Sequence, residues 1–511
     1  MTKPHLLTSY FMAIGAGMAL WAAFPPVGWW PMAILGIALL VGVLQGRTWL
    51  ASLWWGLVAG TAFFFPMFDW ARVASGVVIA QVALAVLQAL FIALTAVLWQ
   101  GLMRGPLGKR TLARTVSMAA IWVAVEQLRS VVPFGGMPWG TLAFSQVDGP
   151  LVRLAPWGSV QLVGFILVLV GVLAHHAFAS LRRERIGSTF IALAIGGAAL
   201  FSPAFLPLAS TPEDYLKIGF AQGIVPRKGE LMPGQSQALT VTSNLVKASR
   251  QLPSDVDVVF WPESSSDRDP REDASAHSLI SEASEFLGVP LVLGTQSYPG
   301  ENRYNEYVVW MPGEGIIDSY SKQHPVPFGE YMPYRDFFRQ FTTAVDLVSV
   351  NMLPGHEPAV LDVPLGGTTV RIAVPICFEV AESRLVAEAI RQGSGLLIVP
   401  TNNASFGTTA ESRQQFDMTR FRAIEHGRAA IQVSTVGVSG IVEPNGFVHE
   451  MTEPWTEDAR TARVGLRTEQ TFATRSSDIL YGGVFGVGAL LTAVALCQLW
   501  QHRHARAKGS K

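Results

Sequence analysis

The apolar positions of this chain fall into two regimes. Residues 1 to about 210 hold a series of apolar runs near bilayer length, residues from about 214 to 474 read as ordinary globular sequence, and one more apolar run follows. A helix that crosses a bilayer core needs about 20 predominantly apolar residues. Eight runs meet or approach that length, at 6–23, 30–45, 49–68, 76–101, 115–132, 158–180, 188–208 and 479–500. The pattern predicts a polytopic α-helical membrane domain over 1–210 and a soluble domain inserted over 214–474. A last span at 479–500 and a basic tail over 501–511 complete it. The first run follows Lys3 like a signal peptide, but further spans come before any soluble segment, so it reads as a retained helix.

Within the insert, short β-rich runs alternate with helical ones. Strands are predicted at 215–222, 255–262, 290–297, 304–311, 368–376, 395–400 and 429–442, and helices at 236–252, 274–288, 383–393 and 412–427. Continuous apolar runs such as VDVVF (256–260) and LLIV (396–399), separated by helices, indicate an α/β layered domain with covered strands. No internal repeat or low-complexity segment stands out. The stretch 325–355 fits neither period and is rich in aromatics, among them Phe328, Tyr331, Tyr334, Phe337, Phe338 and Phe341. Such a loop either packs on its own small core or dips into a bilayer interface to admit acyl chains.

Charge sets the orientation. Lys3, Arg47, the cluster Arg104, Lys109, Arg110 and Arg114, the run Arg182, Arg183 and Arg185, and the tail Arg503, Arg506, Lys508 and Lys511 fall on one side of the alternating spans. The opposite connections hold little more than Arg72, Arg129 and Arg153. Cytoplasmic loops carry the basic excess, so both termini are expected in the cytoplasm and the soluble domain on the outer face. Trp29, Trp30, Trp54, Trp55 and Trp70 lie near span ends, as an interfacial aromatic belt would place them. Formal net charge is zero and no basic stripe runs along the soluble region, which argues against a nucleic-acid partner. Only two cysteines occur, Cys377 and Cys497, which excludes a disulfide framework.

Cys377 follows the apolar run RIAV, where an α/β fold exposes residues to its ligand crevice. A thiol needs a base to become the nucleophilic thiolate at neutral pH. By itself it reads more readily as a buried structural thiol. Two companions change that balance. Glu263 closes the buried run VVFWP, with Pro262 expected to stop the ladder and turn the carboxylate outward, and Trp261 expected to raise its pKa. Lys322 follows a third strand-like run, and its ammonium is suited to stabilising first a thiolate and then an oxyanion, together with backbone N–H groups such as that of Phe378.

The segments WPES (261–264), YSKQHPVPFGEYMP (320–333), ICFE (376–379), PTNNASFG (400–407) and RAIEHGR (422–428) resemble those of the nitrilase superfamily with its Glu, Lys, Cys triad. With the flanking spans and the run PFGGMPWGTLAFSQ (133–146), the chain is similar to bacterial apolipoprotein N-acyltransferases over essentially its whole length. The resemblance implies an αββα sandwich for the insert and a multi-pass protein of the cytoplasmic (inner) membrane, working as a monomer without metal or diffusible cofactor. It implies two steps. Cys377, deprotonated by Glu263, takes the sn-1 acyl chain of a phospholipid as a thioester. The α-amine of a diacylglyceryl-modified apolipoprotein then accepts it, with Lys322 holding the oxyanion in both steps. Glu330 matches a glutamate expected near the thiol, and Glu379 is a candidate for positioning the pocket. Phe378 stands where some relatives have tyrosine, Ser405 where others have tryptophan, and the loop Arg227 to Leu231 lacks a tryptophan that some carry.

In the membrane part, Glu126 and Arg129 share a helical face, which predicts an ion pair, with contact to a phospholipid head group as the alternative. His175 and His176 read as interfacial residues and not metal ligands. One other function, the amidase, remains open on the residues alone, and a transporter is disfavoured because Glu126 and Arg129 are the polar residues of its pattern that the spans show. A membrane-tethered amidase of nitrilase type would let water attack the thioester, whereas a transporter would show broken spans with mid-depth polar residues in matching halves.

Overall fold

The computed structural model describes residues 6–226, 237–340 and 342–509. Lys3, the loop Arg227 to Leu231, Phe341 and Lys511 lie outside the described residues, as do the side chains of Arg506 and Lys508. The chain divides into two compact units, Met1–Pro207 with Ser476–Lys511, and Leu208–Arg475.

Among the described residues of the first unit, five helices are long and apolar enough to cross a membrane: Trp49–Met67, Val78–Arg104, Pro150–Leu181, Ile186–Phe205 and Ser477–His504. Leu6–Ala22 and Pro31–Leu44 are shorter apolar helices. The run expected as a fifth span forms the helix Thr111–Arg129, which carries Arg114, Glu126 and Arg129 and is not among those five, so the count of eight does not carry over directly. Small residues let these helices approach closely. A Cβ on Gly60 would lie 2.7 Å from the Ala89 Cα. Trp29 and Trp54 are exposed as expected, but Trp55 points inward, with its ring 4.8 Å from that of Tyr10.

Glu126 and Arg129 do more than face each other. Arg129, fully buried, donates to the carbonyls of Met137 at 2.5 Å and Trp139 at 2.8 Å and to Gln88 Oε1 at 3.2 Å. Glu126 Oε1 accepts the Leu142 N–H at 2.9 Å. Both charges thus brace the segment 133–146, and the buried guanidinium is satisfied by backbone carbonyls. His175 and His176 meet the Ala38 carbonyl and the Ser188 hydroxyl.

The second unit contains twelve strands among its described residues: β1 Asp214–Gln222, β2 Val258–Phe260, β3 Leu291–Ser297, β4 Tyr304–Met311, β5 Gly315–Ser321, β6 Val360–Leu365, β7 Thr368–Ala373, β8 Leu396–Thr401, β9 Ala430–Ser434, β10 Gly440–Val442, β11 Val448–His449 and β12 Asp458–Leu466. They form two six-stranded sheets, β12-β1-β2-β3-β4-β5 and β11-β10-β9-β8-β7-β6. Each is built on a parallel trio, β1-β2-β3 and β7-β8-β9, with antiparallel strands outside it. Helices Gln237–Ser249 and Ala274–Leu287 cover the first sheet. Their Val241, Leu245, Ile280 and Ala283 pack with Val259, Trp261, Leu291 and Leu293. Helices Ser383–Arg391 and Glu411–His426 lie against the second sheet, and the two sheets meet where β1 touches β9 and β4 and β5 touch β6. This is the αββα sandwich expected for the insert, and its central strands β2, β3, β8 and β9 are buried but for Ser297, because both faces are covered.

The run 429–442 is two antiparallel strands, β9 and β10, and not one. The chain reverses over 435–439, where the Ser434 N–H donates to Ser439 Oγ at 2.9 Å and the Gly437 N–H to Ser434 Oγ at 2.8 Å. The strand expected at 368–376 ends at Ala373, ahead of Pro375, which has no N–H to give a ladder. The strand-like run ahead of Lys322 is β5, whereas β6, β11 and β12 lie outside the predicted strands, since none shows a clean apolar alternation. The 325–355 loop packs on a small core and also leaves large apolar side chains exposed. Met332, Val345, Val348 and Phe338 form a small core of their own, while Phe328, Tyr334, Phe337 and Leu347 are exposed, Tyr334 by 74%.

Candidate active site

Glu263 lies three residues beyond β2. The β3 ladder continues past that strand's end, with the Trp261 N–H donating to Val292 and the Gly294 N–H to the Pro262 carbonyl at 3.1 Å. Gly294 is required there, because a Cβ would stand 2.6 Å from the Ser264 nitrogen and 2.7 Å from the Glu263 Cα. The carboxylate is not turned outward as Pro262 suggested. It is buried, with Oε1 accepting from Asn305 Nδ2 at 2.6 Å and Oε2 from the Asn402 N–H at 2.8 Å. Trp261 goes instead to the helix-covered core, where its Nε1 donates to Ser249. Burial raises the pKa of Glu263 above the ordinary carboxylate value. Lys322 opposes that shift and Glu330 adds to it.

Lys322 follows β5, and its N–H donates to the Asn305 carbonyl at 2.9 Å, which ties it to β4. The side chain is completely buried. Its Nζ donates to Glu330 Oε1 at 2.6 Å and stands 3.5 Å from Glu263 Oε1. Burial works against the ammonium, but the carboxylates of Glu330 and Glu263 outweigh it and hold the pKa above the ordinary lysine value, so the cation is permanent. Glu330 is itself fixed by the Val326 N–H, which donates to its Oε2 at 2.6 Å.

Cys377 is not the last residue of a strand. It opens a 3₁₀ helix, Cys377–Ala381, with φ of 54°, in the left-handed region that non-glycine residues seldom occupy. It remains partly solvent-accessible. Burial of the thiol pushes its pKa up. Glu263, Glu411 and Glu330 push the same way and Lys322 pulls down, so the resting group is the thiol and a base must take its proton. Phe378, next in the turn, is buried.

Glu379 joins the two loops that carry Lys322 and Cys377. It is fully buried and accepts from the Tyr320 hydroxyl at 2.9 Å, the Gln323 N–H at 2.7 Å, the His324 N–H at 3.0 Å and the Ile376 N–H at 2.8 Å. Burial pushes its pKa up to about 7 against the pull of Lys322 and these donors. Because the strand does not continue, its direction follows from the 3₁₀ turn and not from alternation.

The structure therefore brings Glu263, Lys322 and Glu330 into direct contact and within electrostatic reach of the Cys377 thiol, and Glu379 ties the lysine loop to the cysteine loop. Ser405 is exposed. Residues not singled out from sequence complete the surroundings: Asn305 on β4, Asn403, Glu411 and Gln415. The available signal was an amide or carboxyl in a run that is otherwise fully buried, since such groups require partners.

The family model for the apolipoprotein N-acyltransferase N-terminal domain matches residues 16–173, and the carbon-nitrogen hydrolase model matches residues 226–473. The chain is 32% identical over 519 residues to the apolipoprotein N-acyltransferase of Mycolicibacterium smegmatis, covering 94% of this chain and 84% of that protein. It is 32% identical over 461 residues to that of Azotobacter vinelandii, covering 86% of each. A solved amidase from Nesterenkonia sp. is 16% identical and aligns over 54% of this chain and 98% of its own, with a TM-score of 0.36.

Proposed function

Because this chain belongs to the apolipoprotein N-acyltransferase family, we propose that it is a membrane acyltransferase that carries an acyl chain from a phospholipid to the terminal amine of a diacylglyceryl-modified apolipoprotein through a Cys377 thioester. The observation that carries the mechanism is the clustering of a buried carboxylate, a permanent ammonium and a thiol at Glu263, Lys322 and Cys377.

Glu263 removes the thiol proton as sulfur attacks the sn-1 ester carbonyl. Lys322 and a backbone N–H such as that of Phe378 stabilise the oxyanion. The ester C–O bond then breaks and Glu263 returns the proton to the departing lysophospholipid oxygen. In the second step the α-amine attacks the thioester carbon and gives a proton to Glu263. The C–S bond breaks, and the sulfur leaves to be reprotonated, giving the amide. Glu330 fixes Lys322, and Glu379 fixes the relation between the lysine and cysteine loops.

We assign residues 1–210 and 479–500 to the bilayer, with both termini cytoplasmic, residues 214–474 to the outer face of the cytoplasmic membrane, and a monomer as the working state. The basic clusters of the short connections support that orientation. The exposed Phe328, Tyr334, Phe337 and Leu347 support entry of a lipid donor. The match of the N-terminal family model favours transfer over hydrolysis by a tethered amidase, because a hydrolase of soluble amides has no need of that domain.

Intact-mass analysis of the protein and its Cys377→Ala variant after incubation with phospholipid vesicles tests this. An acyl-sized adduct on the parent alone, discharged by a diacylglyceryl-cysteine peptide with formation of its N-acyl product, is expected. Discharge by water with no product on the peptide would instead establish the amidase.

A further inference from the structure

The helix Glu411–His426 brings a side chain to the sulfur that neither the triad nor its braces include. Gln415 Nε2 donates to Cys377 Sγ at 3.5 Å. The orientation of that amide is set from its other end, where Gln415 Oε1 accepts from Thr401 Oγ1 at 2.8 Å and from Asn403 Nδ2 at 2.9 Å. Asn403 is pinned in turn, with Nδ2 donating to Glu411 Oε2 at 2.8 Å and Oδ1 accepting from Ser434 Oγ at 2.5 Å. Turning the Gln415 amide over would set one of its N–H groups against the N–H of Asn403, so this contact points an N–H at the sulfur. Gln415, Thr401, Asn403 and Glu411 are all buried, which makes each unmade bond costly.

The sulfur needs such a donor. Glu263, Glu411 and Glu330 surround it with carboxyl groups, and Lys322 is the cation among the charged groups that act on it. Lys322 is also shared with Glu330 and Glu263. A hydrogen bond to an ionised acceptor is stronger than one to the neutral group, so an N–H aimed at sulfur favours thiolate over thiol.

We propose that Gln415 is a catalytic residue that stabilises the Cys377 thiolate, a role that rests on Cys377 being the nucleophile. When Glu263 takes the S–H proton, the sulfur keeps the electron pair and the Gln415 N–H holds it. When the C–S bond forms, the charge passes to the carbonyl oxygen and the bond to sulfur weakens. In the second step the amide receives the departing thiolate again.

The test is the rate of alkylation by iodoacetamide against pH, in the full chain in detergent with Cys497→Ser, so that Cys377 is the sole thiol. Gln415→Leu is expected to move the profile up by about one pH unit, which is about ten-fold less thiolate at a given pH. Gln415→Glu should move it at least as far, and Thr401→Val less far in the same direction, each variant being compared only where it shows a cooperative thermal transition above the assay temperature. If Gln415→Leu fails to fold, Gln415→Glu and Thr401→Val decide. Profiles that stay at the parent position, or move down, overturn the proposal. Failure of the thioester reading is separate, since it shows as no acyl adduct on the parent protein whatever the alkylation profile does.

Discussion

Lys322 donates its ammonium to Glu330 Oε1 at 2.6 Å, a closer contact than the 3.5 Å that separates it from Glu263. Glu330 is thus the main counter-ion of the buried lysine, and Glu263 is left with its own donors from Asn305 and Asn402. Burial still holds the pKa of Glu263 above the ordinary carboxylate value, although the ammonium beside it pulls the other way.

Glu330→Gln retains an acceptor for Lys322 but removes a charge that raises the pKa of Glu263. A base is active only when ionised, so the acid limb of the acylation rate falls at that raised pKa, and it should move to lower pH in this variant. Glu330→Ala leaves the buried ammonium short of a partner and should destabilise the protein by about 3 kcal/mol. Acyl-adduct formation against pH and thermal unfolding check the two effects. An acid limb that stays in place would show that Glu330 and Glu263 are not coupled.

Glu379→Gln keeps one acceptor oxygen of a carboxylate that takes four donors, and turns an NH2 group against either the buried Ile376 N–H or the Gln323 and His324 N–H groups. A loss of about 2 kcal/mol in stability is expected. Acyl transfer should fall about 100-fold, because the lysine and cysteine loops lose their common anchor. Tyr320→Phe removes a single donor and should cost about 1 kcal/mol. Equal effects of the two substitutions on turnover would contradict the bridging role.

Gly294→Ala places a methyl group against the backbone of Glu263 and Ser264. The strand must shift to admit it, at about 1–3 kcal/mol. Since the displaced residue is the proposed base, the rate of adduct formation should drop by more than the stability change explains. Full activity in a folded variant would show that the position of Glu263 tolerates that displacement.

His426 is fully buried in the helix Glu411–His426, with Nδ1 2.9 Å from the Thr474 hydroxyl. Burial lowers its pKa to about 4, from an ordinary 6.5, against the pull of Glu425. The unfolded chain therefore binds more protons between those values, so stability is intact above pH 6.5 and is lost as pH falls toward 4, by about 3 kcal/mol in all. His426→Leu should flatten that part of the profile. Melting temperatures at pH 7.5 and pH 5 for both proteins measure it, and a slope unchanged in the variant would assign the acid sensitivity elsewhere.

The sequence by itself determined the division into apolar runs and a globular insert, the alternation of strands and helices, and the positions of Glu263, Lys322 and Cys377 after strand-like runs. These are readings of local periodicity, and the physics behind them is local: a bilayer needs an unbroken apolar helix, and a doubly covered strand needs apolar residues on both sides. Only the tertiary structure decided that the residues after β2, β5 and β7 converge, that Cys377 takes a left-handed turn, and that Glu379 ties its loop to the lysine's. It also turned Trp55 inward, set Arg129 against backbone carbonyls and recruited the polar β12 to the edge beside β1. Each of these depends on partners far apart in the chain, such as Glu263 and Asn402, or Gln415 and Cys377. A buried polar group is stable only with a partner, and which residue supplies it is a fact of packing that periodicity along the chain does not encode.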